Sequence, residues 1–183
     1  KNPFGTVNIG NPSFEQYDAL THGTWGGVVS PSDSKVVWTF STYNTDQSGI
    51  SRNTPDPWFA PAAPDGVSAA YMQGVRTISQ AITFYDAADY TVSFATVGRA
   101  ISTTGRDLTV TIDGETVLFI PAAEIGVTAW QNRISAVIEN TAGMHTLAFT
   151  TGSTMGRYGI LKAGTATFRC HAVLIISAVF FMD

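Results

Sequence analysis

Hydrophobic and polar residues alternate with a period of two through the middle of the chain. Between Thr77 and Phe84, one phase holds Ile78, Gln80, Ile82 and Phe84 and the other holds Thr77, Ser79, Ala81 and Thr83. Tyr90, Val92 and Phe94 alternate in the same way with Thr91, Ser93 and Ala95. This is the period of half-buried strands, and runs so short and so rich in Thr, Ile and Val do not suit a helix. Residues 107–120 hold two further alternating runs joined by Asp113-Gly114. That dipeptide supplies the positive φ angles of a type I′ turn, so a hairpin is predicted, with Leu108, Val110, Ile112, Val117 and Phe119 facing the core together. The run 130–139 alternates through Ile134, Ala136 and Ile138, and Thr141-Ala142-Gly143 is predicted to fold it back against a strand at 145–150.

Shorter β-rich runs lie at 6–9, 36–40 and 49–51, and the rest of 16–64 reads as long loops rich in Gly, Ser, Thr, Asn, Asp and Pro. Near the other end, residues 172–182 form an apolar run with little alternation. A strand there is expected to be covered on both faces, either at the centre of a sheet or against a second subunit across 172–181. It is well short of the roughly 20 residues that cross a bilayer, so no membrane span is predicted. Strands recurring about every eight to twelve residues with turns between them, and no crossover helix, predict an all-β antiparallel sandwich. With 183 residues, 44% of them hydrophobic, the chain suits one such domain over 1–183.

A resemblance enters through the order of these pieces. Asn11-Pro12-Ser13-Phe14-Glu15 is followed by the Trp38-bearing run and then by AAYMQG, ISQAITF, DYTVSFATVGR and LTVTIDGETV. Over 11–149 this resembles the galactose-binding-like jelly-roll superfamily, which includes many carbohydrate-binding modules. The resemblance implies a jelly roll and a glycan or polysaccharide ligand. It also implies a structural Ca²⁺ ion held by Glu15 with backbone carbonyls and an acid on the last strand. The same Glu15 also reads as a carboxylate that hydrogen-bonds a neighbouring turn. The end of the chain departs from the pattern, since Arg169, Cys170 and His171 stand where the acids are expected.

Charge narrows the partners. Charged residues make up 13% of the chain and the net charge is −4, with basic residues spread singly, which excludes a broad attraction for nucleic acid or anionic lipid. The single cysteine, Cys170, forms no intrachain disulfide and reads as a small buried hydrophobe. His22, His145 and His171 have no metal-ligand spacing, and no nucleophile elbow, zinc helix or phosphate loop occurs, so no enzymatic activity is expected.

Candidate ligand contacts therefore come from the loops. Trp25, Tyr43 and Trp58 offer flat rings for sugar faces, with Trp58 and Tyr43 the preferred stacking pair, while Arg52, Asp56 and Arg99 offer hydrogen bonds to hydroxyls. Trp38, in an apolar run, is expected in the core. The reading is a non-catalytic, lectin-like carbohydrate-binding or adhesion domain outside the cell, a module of a larger protein or particle. The alternative is a self-associating structural jelly roll of a virion or extracellular matrix.

Overall fold

The computed structural model describes residues 7–16, 27–29, 36–41, 48–52, 63–98, 107–152, 159–163, 172–175 and 177–179. In chain order the strands are β1 (Val7–Asn8), β2 (Gly27–Val29), β3 (Thr39–Phe40), β4 (Ser48–Arg52), β5 (Ser68–Met72), β6 (Thr77–Phe84) and β7 (Ala88–Gly98). They continue with β8 (Leu108–Ile112), β9 (Glu115–Ile120), β10 (Gln131–Ile134), β11 (Ile138–Asn140), β12 (Gly143–Thr151), β13 (Gly159–Ala163), β14 (Ala172–Ile175) and β15 (Ser177–Val179). One 3₁₀ turn, Ala122–Glu124, is the helical element among the described residues.

Two sheets pack face to face as a β-sandwich. The first runs β1-β6-β12-β8-β9, with β3 also on β6. The second runs β10-β7-β13-β5-β4-β2, with β11 and β14 also on β7 and β15 on β13. The described pairings are antiparallel except for β14, which lies parallel to β7.

The alternation predicted for β6 holds residue by residue: Ile78, Gln80, Ile82 and Phe84 are buried, and the other phase faces outward. Gln80 is tolerated there because its amide is spent on backbone. Its Oε1 accepts from Gly10 N at 2.9 Å and its Nε2 donates to Gly10 O at 2.9 Å. Across the sandwich the rings interlock. Phe149 on β12 meets Phe94 on β7 edge-to-face at 5.2 Å, and Phe84 meets Tyr90 at 4.2 Å. Phe149 also meets Trp38, which meets Phe14 at 5.4 Å, so the Asn11–Glu15 segment is tied into the seam between the sheets. Such pairs contribute about 0.5–1.5 kcal/mol each beyond the area they bury.

Several sequence expectations are corrected. In the β8–β9 hairpin, Asp113 and Gly114 take φ of 51° and 87°, as the predicted turn requires. Leu108, Val110 and Ile112 are buried, but Phe119 is 55% exposed. A bulge is the reason: Thr111 pairs with Thr116 while Val110 pairs with Leu118, so one extra residue on β9 reverses the phase beyond it. Leu118 and Ile120 then take the inward positions opposite Val110 and Leu108, and Phe119 faces out opposite Thr109.

The run 130–139 is not one strand. Ser135 breaks it, its hydroxyl accepting from Val92 N at 2.9 Å and its own N–H donating to Val92 O at 2.8 Å, and Ile134 and Val137 are left exposed. Both halves, β10 and β11, pair with β7, and 141–142 carries the chain across to β12 in the other sheet, so the expected hairpin does not form. β7 is not half-buried. It is flanked on both edges, and Thr91, Ala95 and Val97 are buried on the second phase as well. The expected strand at 36–40 shortens to β3, since Val37 has a φ of 52°, although Val36 and Trp38 are buried. β4 falls on the β-rich run expected at 49–51, while β2 lies inside the segment read as loop. Within the apolar run near the end, β14 pairs with β7 and β15 with β13. The expected burial of its faces, and Cys170, lie outside the described residues.

Trp38 tests the seam. Trp38→Ala is expected to lower the unfolding free energy by about 3–5 kcal/mol. Trp38→Phe, which keeps a ring but removes the indole donor to Asn11 O at 3.0 Å, is expected to lower it by about 1–2 kcal/mol. Urea denaturation reads both, and near-zero values would place the ring outside the core.

Candidate functional site

Strand register fixes where each ligand-bearing segment begins and ends. β4 is five residues long, so its termini are separated by about 14 Å at the usual strand rise. At one terminus Arg52 pairs with Ser68, the first residue of β5, and Ser51 pairs with Gly27, the first residue of β2. In the chain, Asp56 and Trp58 follow β4 and Trp25 precedes β2. At the other terminus Ser48 pairs with Met72, Met72 with Gly159, and Gly159 with Gly98, the residue before Arg99. There the Ser48 hydroxyl donates to Ser41 O at 2.6 Å.

Of the six loop candidates, the backbone of Arg52 is described, at the end of β4 that pairs with the start of β5. Trp25, Tyr43, Asp56, Trp58 and Arg99, and the side chain of Arg52, lie outside the described residues.

The end of β4 at Arg52, where β5 begins, is held by Glu15. Its Oε1 accepts from Val67 N at 2.8 Å and from Ser68 N at 2.7 Å. Hydrogen bonds to an ionised acceptor are the strong ones, and here one oxygen fixes two consecutive amides at the entrance to β5. Gly66 makes this possible. It has a φ of 61°, and a Cβ there would lie 2.3 Å from Glu15 Oε1. Glu15 is in turn positioned by Asn11 and Phe14, which sit at φ of 42° and 61°. Phe14 N donates to Asn11 O at 3.2 Å, and Asn11 Oδ1 accepts from Gln16 N at 3.1 Å. The acceptor role read for Glu15 is the one its Oε1 plays. Among the described residues no three His, Cys, Asp or Glu side chains gather as metal ligands.

The opposite end is held by an amide and a guanidinium. Gln131 Oε1 accepts from Gly126 N at 2.7 Å and from Arg133 Nη2 at 2.8 Å, and Arg133 also donates to the Glu124 carbonyl. Burial lowers the Arg133 pKa, with Glu124 acting in the opposite sense. Gly126 O accepts from Gly98 N at 2.8 Å, which pins the point where the chain leaves β7 toward Arg99.

A third polar cluster links two turns. His145 Nδ1 lies 2.7 Å from Asp113 Oδ2 and its Nε2 lies 3.0 Å from Thr141 O, while Asp113 Oδ1 accepts from Thr146 N at 2.7 Å. The ring stands edge-on to Phe84 at 5.1 Å. His145 is thus a hydrogen-bonded residue. The amide of Thr146, followed by the imidazole, holds the Asp113 carboxyl below its ordinary pKa.

The outward phase of the first sheet carries no charged side chain on β6, β12 and β8, and the Asp113 carboxylate lies at its edge beside Thr146. On β6, β12 and β8 the phase opposite the buried one holds Thr77, Ser79, Ala81 and Thr83, then Met144, Thr146, Ala148 and Thr150, then Thr109 and Thr111. These align in rows: Thr39, Ser79, Ala148, Thr111 and Thr116 form one, and Thr77, Thr150, Thr109 and Phe119 the next. The Thr77 and Thr150 hydroxyls are 3.0 Å apart. The single-sequence pattern shows these residues as the polar phase of strands, and their alignment follows only from register.

Compared with protein-family models and with curated proteins, the sequence finds no match. Among the described residues no helix is long and apolar enough to cross a membrane.

Asp113 generates a pH prediction. Its folded pKa is depressed, so its contribution to stability is present above the ordinary carboxylate range and is lost as pH falls through the folded value. Asp113→Asn keeps a dipeptide that suits the turn but removes the titrating group. Its melting temperature is expected to fall less between neutral pH and pH 2 than that of the unmodified protein. Parallel curves would show that the carboxylate adds nothing to the acid limb.

Proposed function

We propose that the protein is a non-catalytic carbohydrate-binding or adhesion domain acting outside the cell, and that its glycan contact lies where Trp25, Arg52, Asp56 and Trp58 are carried. The observation that supports this most is the base beneath those segments. Arg52 is paired with Ser68, Ser68 N is held by Glu15, and Gly27 is paired with Ser51. A fixed base lowers the ordering cost that a flexible loop otherwise meets on binding, and stacking rings on such a base suit the apolar faces of sugars. The reading retains Trp58 as the main stacking ring and gives Trp25 precedence over Tyr43 as its partner. Tyr43 and Arg99 are not required by it. A jelly-roll strand order belongs to the same proposal, through the resemblance over 11–149.

A structural Ca²⁺ ion is a separate part of the reading. Glu15 Oε1 already accepts two N–H donors, so that oxygen fits the turn better than a cation. Calcium, if it belongs to the protein, adds to the anchor and does not replace it. The alternative of a self-associating structural protein rests on the run 172–181. Within the described residues that run contributes β14, paired with β7, and β15, paired with β13.

Trp58→Ala is expected to abolish retention on a glycan array while leaving the melting temperature within about a degree of the unmodified protein. A fall of several degrees would show a ring packed inside, and unchanged binding would remove Trp58 from the site. Excess chelator with elemental analysis tests the ion: a lowered melting temperature is expected if Ca²⁺ is bound, by an amount set by its affinity and concentration. An unchanged curve with no bound metal discards it.

A further inference from the structure

The outer face of the first sheet is a surface that the loop site does not use. Its outward positions on β6, β12 and β8 carry hydroxyls, methyls and a thioether but no charge. At one corner the Phe119 ring is 55% exposed, and across β8 and β12 the Met144 side chain is 77% exposed. Threonine is stiff at χ1, so its hydroxyl and methyl are presented in nearly fixed directions. With strands about 4.8 Å apart and like-facing residues about 6.7 Å apart, the rows form a regular grid of donors and acceptors.

The chemistry of the grid selects its occupant. The thirteen outward positions in these rows at these spacings cover roughly 400 Å², short of the roughly 800 Å² per partner of a standard protein interface, which argues against a second copy. Hydroxyls in every row argue against a lipid surface. With no cation on the face, and a net charge of −4 for the chain, a sulfated or uronate-bearing polymer finds no counter-charge. Hydroxyls that both donate and accept, without charge, match a polymer that carries the same groups.

We infer that this face binds a neutral polysaccharide chain, laid diagonally from Phe119 past Thr111 and Thr146 to Met144. The inference takes its ligand class from the glycan-binding reading above and adds a second contact surface, remote in sequence from the Trp58 segment. The diagonal spans about 20 Å at normal strand spacings, so the ligand is a chain and not a single sugar. The Phe119 ring and the Met144 thioether contact the apolar faces of sugars at the two ends, and the threonines bond their hydroxyls between. Two surfaces on one module also let a polymer engage both, raising apparent affinity without new contacts.

The test uses the intact protein with xylan, cellulose and chitin as neutral probes and with alginate and polygalacturonate as anionic ones, in affinity electrophoresis and pull-down. Retention is expected on at least one neutral polymer and on neither anionic one. The double variant Thr111→Lys with Thr146→Lys is expected to lower that retention at least five-fold. Hydroxyl-radical footprinting of the unmodified protein, which needs no variant to fold, is expected to show Phe119 and Met144 protected by the same polymer. Unchanged retention in the double variant, or Phe119 and Met144 left unprotected while the polymer is bound, overturns the face and leaves the Trp58 site standing. Retention by the anionic polymers alone overturns the neutral class. No retention on any polymer, together with an empty glycan array, overturns this inference and the glycan-binding reading with it.

Discussion

The carbonyl of Asn11 accepts from the Phe14 amide and from the Trp38 indole, and through this knot the start of the chain is committed to the seam of the sandwich. The segment cannot pair as a strand, because Asn11 and Phe14 both hold positive φ, so its backbone polar groups need partners of another kind. They find them in side chains that belong to distant elements. Gln80 of β6 bonds both backbone groups of Gly10, and the Asn11 amide reaches Val36 O at 3.5 Å. Leaving any one of these buried groups without a partner costs about 1–3 kcal/mol, a sizeable share of the net stability of a domain this size.

The same knot sets up what the surface can do. Phe14 is fully buried, so the next residue, Glu15, emerges at a fixed point and its carboxylate meets the two amides that open β5. β5 lies beside β4, and β4 carries the aromatic segment proposed to meet the glycan. Core packing at Phe14 is therefore linked, through one carboxylate, to the base of a loop that is far away in sequence. At the opposite end, Gln131 and Arg133 hold Gly98 by the same device of one side-chain oxygen or guanidinium spent on loop backbone.

Much of the fold was legible in the sequence because period-two alternation records burial directly. β6 and β8 could be read residue by residue, and the Asp113-Gly114 turn fell where the dipeptide indicated. What failed did so for local reasons that alternation does not encode. One extra residue on β9 turned Phe119 outward, and the Ser135 hydroxyl, by replacing a backbone acceptor for Val92, divided a run that looked continuous. The acceptor role of Glu15 was legible as one of two readings. The identity of its partners, the Val67 and Ser68 amides 52 and 53 residues further on, was not, because composition and spacing do not contain such a long-range relation.

The claim that Glu15 is the anchor for this end is open to a direct measurement, amide hydrogen exchange at Val67 and Ser68 in the unmodified protein, in Glu15→Gln and in Glu15→Ala. Glutamine keeps a carbonyl oxygen that accepts from both amides, so protection is expected to fall only modestly. Alanine removes the acceptor, and exchange at both amides is expected to accelerate by at least ten-fold while the amides of β6 stay protected. Equal exchange at Val67 and Ser68 in all three proteins would contradict the account, since the turn would then be held by something other than the carboxylate.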